Sequence, residues 1–497
     1  MDAVGNSGKV AINRNGILGE GSNGTCVYKG TFEKTVQVAV KRMVYFQTTD
    51  LKVINNEVTM LKKLDHPNII RYKLFDKDKD FLYIVLDLCD ASLTECIKKG
   101  TLNPSYTYMP GEMKAKFKIN ILKDILSGLE YLHKMDVIHR DLKPQNVLIK
   151  KSKTTEYGVT AVITDFGLSL EIKEDQTHVT ATEAGTKGWK PKEVLGKGKK
   201  YFKKSMDIFA FGCVAQFVLS QSTDASNRYV HPFGEELCRE RNIHFGKRVA
   251  FLDDPRKSFD PRKSLDREVD LLGDIMVNSC VSNDPKLRPE AKELLDHPLF
   301  WSYTDKLHFV EKVFNDYKDK FESDAVKSLE DNWKKYKPTA VEENIREAWG
   351  YHLFCRKLAK QSKPNTKSLF NAVLRNIRNI QQHCREAVAR YKEPHKQPNS
   401  EAFTILEEVL GDCSDEDIGR YFFSRIPVLI PIVYLSLYLH ARDNRVLQRY
   451  YKNADTDKTV AEGKTKSGWS TLDKLMTRSS RSSTPSSSSR SRSNSKS

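Results

Sequence analysis

The pattern of hydrophobic and polar positions divides the chain into three stretches. Residues 1–300 alternate short β-type runs with longer helical stretches. Residues 302–451 have an almost continuous helical pattern with few glycines. At Lys452 the composition shifts, and the chain ends in the low-complexity segment "SSRSSTPSSSSRSRSNSKS", a composition that cannot bury apolar surface. We therefore predict an α+β domain at 1–301, an all-α domain at 302–451 and a disordered tail at 452–497.

An amphipathic helix is predicted for "VLRNIRNIQQHCREAV", residues 373–388. Its apolar side carries aliphatic residues, and its other side carries Arg, Asn and His, side chains that can donate hydrogen bonds to an anionic group. The apolar positions are Val373, Leu374, Ile377 and Ile380, and the polar ones are Arg375, Arg378, Asn379 and His383.

A second stretch, "IPVLIPIVYLSLYL" at 426–439, is the longest apolar run. It has fourteen residues and two prolines. A membrane-spanning helix needs about 20 residues, so we predict a buried helix of a globular domain instead. The first residues, "MDAVGNSGKV", have no apolar core of the kind found in a signal peptide. We therefore expect a cytoplasmic protein with no membrane span in this chain.

The net charge indicates what kind of partner the protein binds, and the cysteine pattern indicates its redox compartment. The formal net charge is +17, which favours an anionic partner such as RNA, phosphate or a membrane surface, and says nothing about fold. Between Arg346 and Lys396 there are twelve Lys or Arg residues against three Glu. The nine cysteines show no metal-ligand spacing, which is typical of a reducing compartment and argues against structural zinc.

A glycine-rich segment, "LGEGSNGTCVYKG" at 18–30, lies between two predicted strands. Gly19, Gly21 and Gly24 would let the backbone close over phosphate groups without a side chain in the way. On its own this motif is weak evidence, because many turns share it. The nucleotide contacts that we predict in addition are Val27, Asp87 and Cys89.

The motifs that follow make the evidence strong, because each has the spacing that a protein kinase requires. "VAVK" ends in Lys41, and Glu57 lies on the next predicted helix, where it can pair with that lysine. "VIHRDLKPQNVLI" and "ITDFGLS" then supply the catalytic-loop and metal-binding side chains. These are Asp141, Lys143, Asn146 and Asp165.

The residue types suit phosphoryl transfer, which needs positioning and charge neutralisation. Lys41 would hold the α- and β-phosphates of ATP. Asn146 and Asp165 are oxygen ligands of the kind that Mg²⁺ prefers. Asp141 would accept the proton of the substrate hydroxyl, and Lys143 would reach the transferred phosphate. We predict a two-lobed protein kinase fold.

The segment between Asp165 and Glu193 departs from the common kinase pattern. The usual A-P-E is replaced by Pro191, Lys192 and Glu193. Glu193 is still expected to pair with Arg288 of "DPKLRPEA". The same segment offers four candidate phosphoacceptors, although hydroxyl groups are common in loops and most are not modified. These are Thr177, Thr180, Thr182 and Thr186.

The chain resembles the cytosolic kinase/endoribonuclease (kinase-extension-nuclease) module of the unfolded-protein-response sensor kinase, which is related to ribonuclease L. The resemblance covers residues 15–451. It rests on the kinase motifs above and on "DLCDASLTE", "GTKGW", "DIFAFGCV" and "HPLFW", followed by "LRNIRN" with its downstream His and "DEDIGRYFFSRIP". It implies a kinase joined to a metal-independent endoribonuclease that acts as a dimer and leaves 2′,3′-cyclic phosphate ends on RNA.

The resemblance assigns RNA cleavage to Arg378, Asn379 and His383. Asn379 and His383 are four residues apart and share a helical face. His titrates near neutrality and can protonate the leaving oxygen, while Arg can grip a phosphate with two hydrogen bonds. At the position where the family has a tyrosine that acts as general base, this chain has Asn365. Tyr351 and His352, upstream, are possible substitutes.

Two alternatives stay open at this point. In the first, the chain is a Ser/Thr kinase whose helical extension only docks partners. In the second, it is a nucleotide-sensing pseudokinase scaffold. RNA cleavage without added metal separates the first alternative from the nuclease hypothesis, and ATP turnover separates the second. The sequence does not identify the RNA target, the upstream signal or the phosphorylation sites.

Overall fold

The computed structural model describes most of residues 1–336 and selected parts of the chain beyond them. The described residues are 1–21, 24–45, 48–99, 111–153, 155, 158–173, 176–181, 184–196, 198–220, 231–248, 264–320, 322–336, 373–374, 377, 414–426, 429–438 and 440.

The N-terminal lobe is an antiparallel sheet of six strands with the order β1-β2-β3-β4-β6-β5. One long helix, α1, covers it. The strands are β1 (Asp2–Val4), β2 (Val10–Glu20), β3 (Cys26–Phe32), β4 (Val36–Val44), β5 (Tyr72–Lys77) and β6 (Phe81–Asp87), and α1 is Thr48–Lys63.

The strand β6 is buried on both faces, which explains why its sequence, "FLYIVLD", is almost uninterrupted by polar residues. Successive side chains alternate between two apolar clusters. Tyr83 and Val85 pack with Val38 of β4 on one face. Leu82 and Ile84 pack on the other face, in the main core that continues into the rest of the molecule.

The C-terminal lobe is built around two apolar helices with short strands at its upper edge. In α3, buried positions recur at helical spacing, as at Leu122, Leu126 and Leu129, all 0% exposed. The next helix, α4, is buried along almost its whole length. The elements are β7 (Ala91–Ser92), α2 (Leu93–Lys99), α3 (Gly111–Lys134), β8 (Val137–Ile138), β9 (Val147–Lys151), β10 (Val159–Ile163), β11 (Leu170–Glu171), β12 (Val179–Ala181), β13 (Lys200–Phe202), α4 (Ser205–Leu219), α5 (Glu236–Phe245), α6 (Ser264–Cys280) and α7 (Ala291–Leu295).

The described elements after residue 302 are all helices. They are α8 (Tyr303–Tyr317), α9 (Asp324–Tyr336), α10 (Asp415–Arg425) and α11 (Leu429–Leu437). Helix α8 packs on α10, α9 packs on α11, and α10 also contacts α6 of the C-terminal lobe. The main core therefore runs without a break from the lobe into this helical extension (residues 302–451). The two-lobed α+β arrangement with a helical extension is confirmed for the described residues.

Within the apolar run 426–439, the described residues Leu429–Leu437 form a buried helix, as predicted. Helix α11 contains this run's Pro431 at its third residue, where the missing N–H has no partner inside a helix. Leu429 and Leu437, at its two ends, are both 0% exposed. Among the described helices none is long and apolar enough to cross a membrane.

Polar contacts join the helices of the extension to one another, and an ion pair joins the extension to the lobe. Glu416 of α10 accepts hydrogen bonds from the N–H and the hydroxyl of Thr304, at 3.0 and 3.1 Å. It therefore caps the N-terminus of α8. Lys306 of α8 forms a buried ion pair with Glu268 of α6, with 3.0 Å between Nζ and Oε2. Gly419 lies so close to α8 that an added Cβ would be 2.5 Å from the Tyr303 carbonyl oxygen.

Candidate active site between the two lobes

The glycine-rich segment forms the turn between β2 and β3. Gly19 pairs with Val27 in this hairpin, and Gly24 has φ of +72°, a conformation that side chains other than glycine rarely adopt. A Cβ built on Gly19 would meet nothing within 4 Å. Packing within the protein therefore does not require glycine at 19, and the hairpin leaves room for a ligand against its backbone.

Lys41 links the two lobes. Its Nζ is 2.8 and 2.7 Å from the two carboxylate oxygens of Glu57 on α1. It is also 3.3 Å from Oδ1 of Asp165, on the opposite side of the cleft. The predicted pairing of Lys41 with Glu57 is confirmed. The register places Val27 directly opposite Lys41 on the neighbouring strand.

Burial and neighbouring charges shift the pKa values of Lys41, Glu57 and Asp165 in opposite directions. Burial lowers the pKa of Lys41, but the Glu57 and Asp165 carboxylates outweigh it and hold the lysine pKa above its usual value. Burial raises the pKa of Glu57, and Lys41 only partly offsets this effect. Burial raises the pKa of Asp165, but Lys41 and, to a smaller extent, His139 and Lys143 outweigh it and hold this pKa below its usual value. Lys41 and Asp165 are therefore charged at neutral pH.

Asp141 is the centre of a second cluster. Lys143 Nζ lies 2.7 Å from its Oδ2, and Asn146 Nδ2 donates to its backbone oxygen at 2.8 Å. Thr186 donates to its Oδ1 from both the N–H and the hydroxyl, at 2.7 and 2.6 Å. The structure thus brings three predicted residues together and adds Thr186, which the sequence analysis considered only as a phosphoacceptor.

Asp207 of α4 holds the loop that carries Asp141. Its carboxylate accepts hydrogen bonds from the N–H groups of His139 and Arg140, at 2.8 and 2.9 Å, and lies 3.0 Å from His133 Nε2. These contacts support Arg140 at φ of +71°, a left-handed conformation that is costly for arginine. This role was not predicted from the sequence. A lone carboxylate in the apolar helix "SMDIFAFGCVAQFVL" was the available signal.

The predicted nucleotide contacts at the end of β6 have partners of their own. The Asp87 carboxylate is 2.9 Å from Lys73 Nζ and 2.9 Å from Lys150 Nζ. Its side chain is therefore engaged within the protein, and a contact to nucleotide would have to come from its backbone. Burial raises the pKa of Cys89 to about 12, so its thiol stays protonated.

The segment after Asp165 is anchored at its far end by Glu193. Arg288, whose side chain is fully buried, donates from its two terminal nitrogens to the two oxygens of Glu193, at 2.5 and 2.9 Å. The predicted pairing is confirmed. The replacement of A-P-E by Pro191, Lys192 and Glu193 has preserved this anchor.

Magnesium and ATP fit the residues present. The Asp165 side chain is 43% exposed and faces the cleft with one oxygen on Lys41. Asn146 uses its amide nitrogen on Asp141, which leaves its oxygen for a cation. Two protein oxygens suit Mg²⁺, which keeps waters and substrate phosphates as its other ligands. Within the described residues, no group of three or more His, Cys, Asp or Glu could hold a metal ion.

The predicted RNA-cleaving residues Arg378, Asn379 and His383 lie outside the described residues, as does Asn365. Of the helix that carries the first three, Val373, Leu374 and Ile377 are described. Each is helical and at most 1% exposed. The predicted apolar side of that helix is confirmed at these three positions.

A comparison with protein-family models matches residues 12–300 to the protein kinase domain. The match covers more than half of the chain. The chain belongs to the protein kinase family. The cleft between the lobes is thus the place where kinases bind nucleotide, and the Lys41 and Asp141 clusters occupy it.

Similarity to curated proteins continues past the kinase domain. A probable serine/threonine-protein kinase irlB of Dictyostelium discoideum is 31% identical over 86% of this chain and 28% of its own length. The serine/threonine-protein kinase/endoribonuclease ire-1 of Caenorhabditis elegans is 30% identical over 90% and 41%. The sensor for unfolded proteins in the ER ire1 of Schizosaccharomyces pombe is 30% identical over 83% and 36%.

Two conclusions follow from the fractions of this chain and of its relatives that align. The kinase domain alone is too short to reach 90% of the chain, so the similarity extends into the helical extension. The chain spans less than half the length of these relatives.

Proposed function

We propose that the chain is a serine/threonine protein kinase that uses ATP and Mg²⁺. One observation carries the proposal: Lys41 joins Glu57 to Asp165 across the cleft. In kinases this arrangement holds the ATP phosphates and must be in place before transfer. Asp141 accepts the substrate proton, Lys143 neutralises charge on the transferred phosphate, and Asn146 and Asp165 hold the metal, which offsets the negative charge of the phosphates.

Loss of Asp165 tests this proposal. Asp165→Ala removes a metal ligand, so magnesium-dependent phosphorylation of the chain itself should disappear. Lys41→Ala should have the same effect. Asp319→Ala, at an exposed position after α8, is the matched control and should retain wild-type incorporation of labelled phosphate. Unchanged incorporation in Asp165→Ala would contradict the kinase assignment.

We further propose that residues 302–451 form an endoribonuclease domain. Two of the relatives described above support this proposal. One is named a kinase/endoribonuclease and the other a sensor for unfolded proteins, and the similarity of both to this chain extends past residue 300. His383 protonates the leaving 5′-oxygen, Arg378 binds the scissile phosphate, and Asn379 orients the nucleotide. The RNA 2′-OH is the nucleophile, so the products carry a 2′,3′-cyclic phosphate and a 5′-OH.

The nuclease proposal is tested with a stem-loop RNA in EDTA, with and without a non-hydrolysable ATP analogue. Metal-independent cleavage to cyclic-phosphate products is expected. RNA that stays intact while the kinase is active favours the alternative in which the extension only docks partners. Absence of both activities favours the pseudokinase scaffold.

The biological setting is proposed on the same grounds. The chain would act in unfolded-protein or stress signalling, as a homodimer or higher oligomer that phosphorylates itself. Its location would be cytoplasmic, at the endoplasmic-reticulum membrane if it is part of a larger protein. Nucleotide in the cleft would favour the dimer by binding it more tightly than the monomer. Analytical ultracentrifugation with the ATP analogue should show a shift toward dimer, and an unchanged equilibrium would contradict this mechanism.

A further inference from the structure

One strongly basic stretch lies next to the cluster around Asp141. Residues 185–204, "GTKGWKPKEVLGKGKKYFKK", contain eight lysines and a single acidic residue, Glu193. Glu193 is already bound to Arg288. Four of the lysines are exposed and form what we call the lysine cluster: Lys187, Lys192, Lys199 and Lys203.

Two contacts place Lys187 and Lys203 of this cluster beside the site of phosphoryl transfer. Thr186, whose hydroxyl is 2.6 Å from Asp141 Oδ1, immediately precedes Lys187. Phe202, whose ring lies 4.0 Å beneath the guanidinium of Arg140, immediately precedes Lys203. Consecutive Cα atoms are 3.8 Å apart. Each of these lysines is therefore one residue from a direct contact with the loop that carries Asp141.

The lysine cluster has no counter-charge of its own in the described part of the chain. None of its four side chains forms an ion pair with a described carboxylate, whereas the neighbouring Lys204 pairs with Asp136 at 2.7 Å. Uncompensated like charges repel one another and attract an anionic ligand. The turn after Thr186 carries a further cation on its other side, since Arg239 lies against Gly188 and Trp189.

We propose that the lysine cluster selects protein substrates with a carboxylate or phosphate directly after the phosphoacceptor residue. This inference rests on the proposed kinase function. A substrate hydroxyl that donates its proton to Asp141 must lie beside Thr186, so the following substrate residue comes within reach of Lys187. An acidic side chain there pairs with a lysine, and a basic one is repelled.

The chain's own sequence shows which of its hydroxyl groups meet this rule. Thr182 in the segment after Asp165 is followed by Glu183. In the tail, Thr456 is likewise followed by Asp457, whereas Thr477, Ser480, Ser489 and Ser491 are each followed by arginine. Self-phosphorylation should therefore favour Thr182 and Thr456 over the four tail residues that precede arginine.

The test uses three peptides that differ only in the residue after a single threonine: Glu, Ala or Arg. For the full-length chain, kcat/KM should fall from Glu to Ala to Arg, by roughly 2- to 5-fold at each step, the size expected of exposed ion pairs. The preference should shrink at high salt, because salt screens exposed charges. Lys187→Glu should reverse the order of the Glu and Arg peptides.

Lys312→Glu is the matched control, because it makes the same charge change on the exposed side of α8 and should keep the wild-type order. Lys187→Gln provides a second, milder variant, in which the Glu-to-Arg ratio should fall below that of the wild type. Equal kcat/KM for the three peptides in the wild type, or an unchanged order in Lys187→Glu, would overturn the selectivity while leaving the kinase intact. No turnover of any peptide while self-phosphorylation continues would overturn this inference alone, and loss of both activities would overturn the kinase proposal with it.

RNA is the competing ligand for a basic surface, and the same variants decide between the two. If Lys187→Glu loses retention on a stem-loop RNA while its peptide preference is unchanged, the lysine cluster belongs to RNA binding and the peptide inference is overturned. Loss of the peptide preference with unchanged RNA retention supports it.

Discussion

Thr186 donates two hydrogen bonds to the same oxygen of Asp141, from its N–H at 2.7 Å and its hydroxyl at 2.6 Å. Its hydroxyl also lies 2.6 Å from Lys143 Nζ. The segment between Asp165 and Glu193 is thereby tied to the loop of the proposed proton acceptor. In this conformation the hydroxyl is fully engaged, which makes Thr186 a positioning residue rather than a phosphoacceptor.

Thr186→Val tests this assignment. Valine keeps the shape and the N–H but removes the hydroxyl, so Asp141 and Lys143 each lose a partner. Hydrogen bonds to charged groups are worth about 1.5–3 kcal/mol, so kcat should fall by roughly 10- to 100-fold. Thr186→Ser retains the hydroxyl and should restore most of the rate. Full activity in Thr186→Val, with an unchanged thermal unfolding midpoint, would contradict a positioning role.

Glu193→Gln should destabilise the C-terminal lobe. It leaves the fully buried Arg288 side chain without its counter-charge, which costs about 3 kcal/mol in comparable buried pairs. The control is Glu130→Gln, which breaks the pair with the largely exposed Lys134 and should cost at most about 1 kcal/mol. Urea unfolding of both variants gives the comparison. Equal costs would mean that burial does not distinguish the two pairs.

The raised pKa of Asp124 should make the stability of the protein depend on pH. Burial raises its pKa to about 6, although the N–H of Ala161 donates to its Oδ2 at 2.9 Å. The unfolded chain releases this proton near pH 4, so the contribution to stability falls as pH rises from about 4 to 6 and stays low above that.

Asp124→Asn keeps an acceptor for Ala161 but does not titrate. It should therefore be more stable than the wild type at pH 7, by up to ~2 kcal/mol. The two proteins should converge below pH 4 in chemical unfolding experiments. Asp319→Asn, at an exposed position, serves as the control and should show no such trend. A constant difference between Asp124→Asn and the wild type from pH 4 to 7 would contradict the assignment.

Gly419→Ala should weaken the contact between α10 and α8. In an unpacked helix alanine is favoured over glycine by about 1 kcal/mol. Here the new Cβ would be 2.5 Å from the backbone oxygen of Tyr303, which cannot rotate away. We expect a net loss of about 1–3 kcal/mol of unfolding free energy.

Gly273→Ala is the matched comparison for this change. Its Cβ would also be crowded, 2.6 Å from Cδ1 of Leu219, but that atom is the tip of a side chain that can shift. Thermal unfolding should therefore show the smaller loss for Gly273→Ala. The reverse order would mean that α10 and α8 can separate at little cost.

His383→Ala tests the nuclease proposal at the residue level. Loss of a positioned general acid typically lowers a rate by about 10²–10⁴-fold, so cleavage should nearly vanish while self-phosphorylation continues. Arg378→Ala should also weaken RNA binding at low salt. Asn365→Tyr should raise the cleavage rate by restoring the family's general base. Wild-type cleavage in His383→Ala would assign the chemistry to another residue.

The sequence predicts contacts within familiar motifs and misses those that depend on the fold. Lys41 and Glu57 are only 16 residues apart and each lies in a recognisable pattern, so their pairing was foreseeable. The buried helix Leu429–Leu437 was predictable from the continuous apolar run that contains it. The capping of Thr304 by Glu416 joins residues 112 apart. No local periodicity encodes such a contact, because it forms only when two helices pack together.

Two features of the candidate site show the same limit. Thr186 is one of several threonines in a polar segment, and only its position against Asp141 distinguishes it. Asp207 lies in an apolar helix, and its role depends on the backbone N–H groups of His139 and Arg140. The Glu193–Arg288 pair was predicted across 95 residues because both partners belong to recognisable motifs.

The pairing of α8 with α10 has a consequence for synthesis on the ribosome. Helix α8 emerges first, but the helix that caps and covers it begins only at Asp415, about a hundred residues later. Until α10 has been synthesised, Tyr303 on the apolar side of α8 lacks the Phe423 ring that stacks on it. The extension therefore completes its fold late. Chains that stop before Asp415 expose apolar surface, which promotes chaperone binding and degradation.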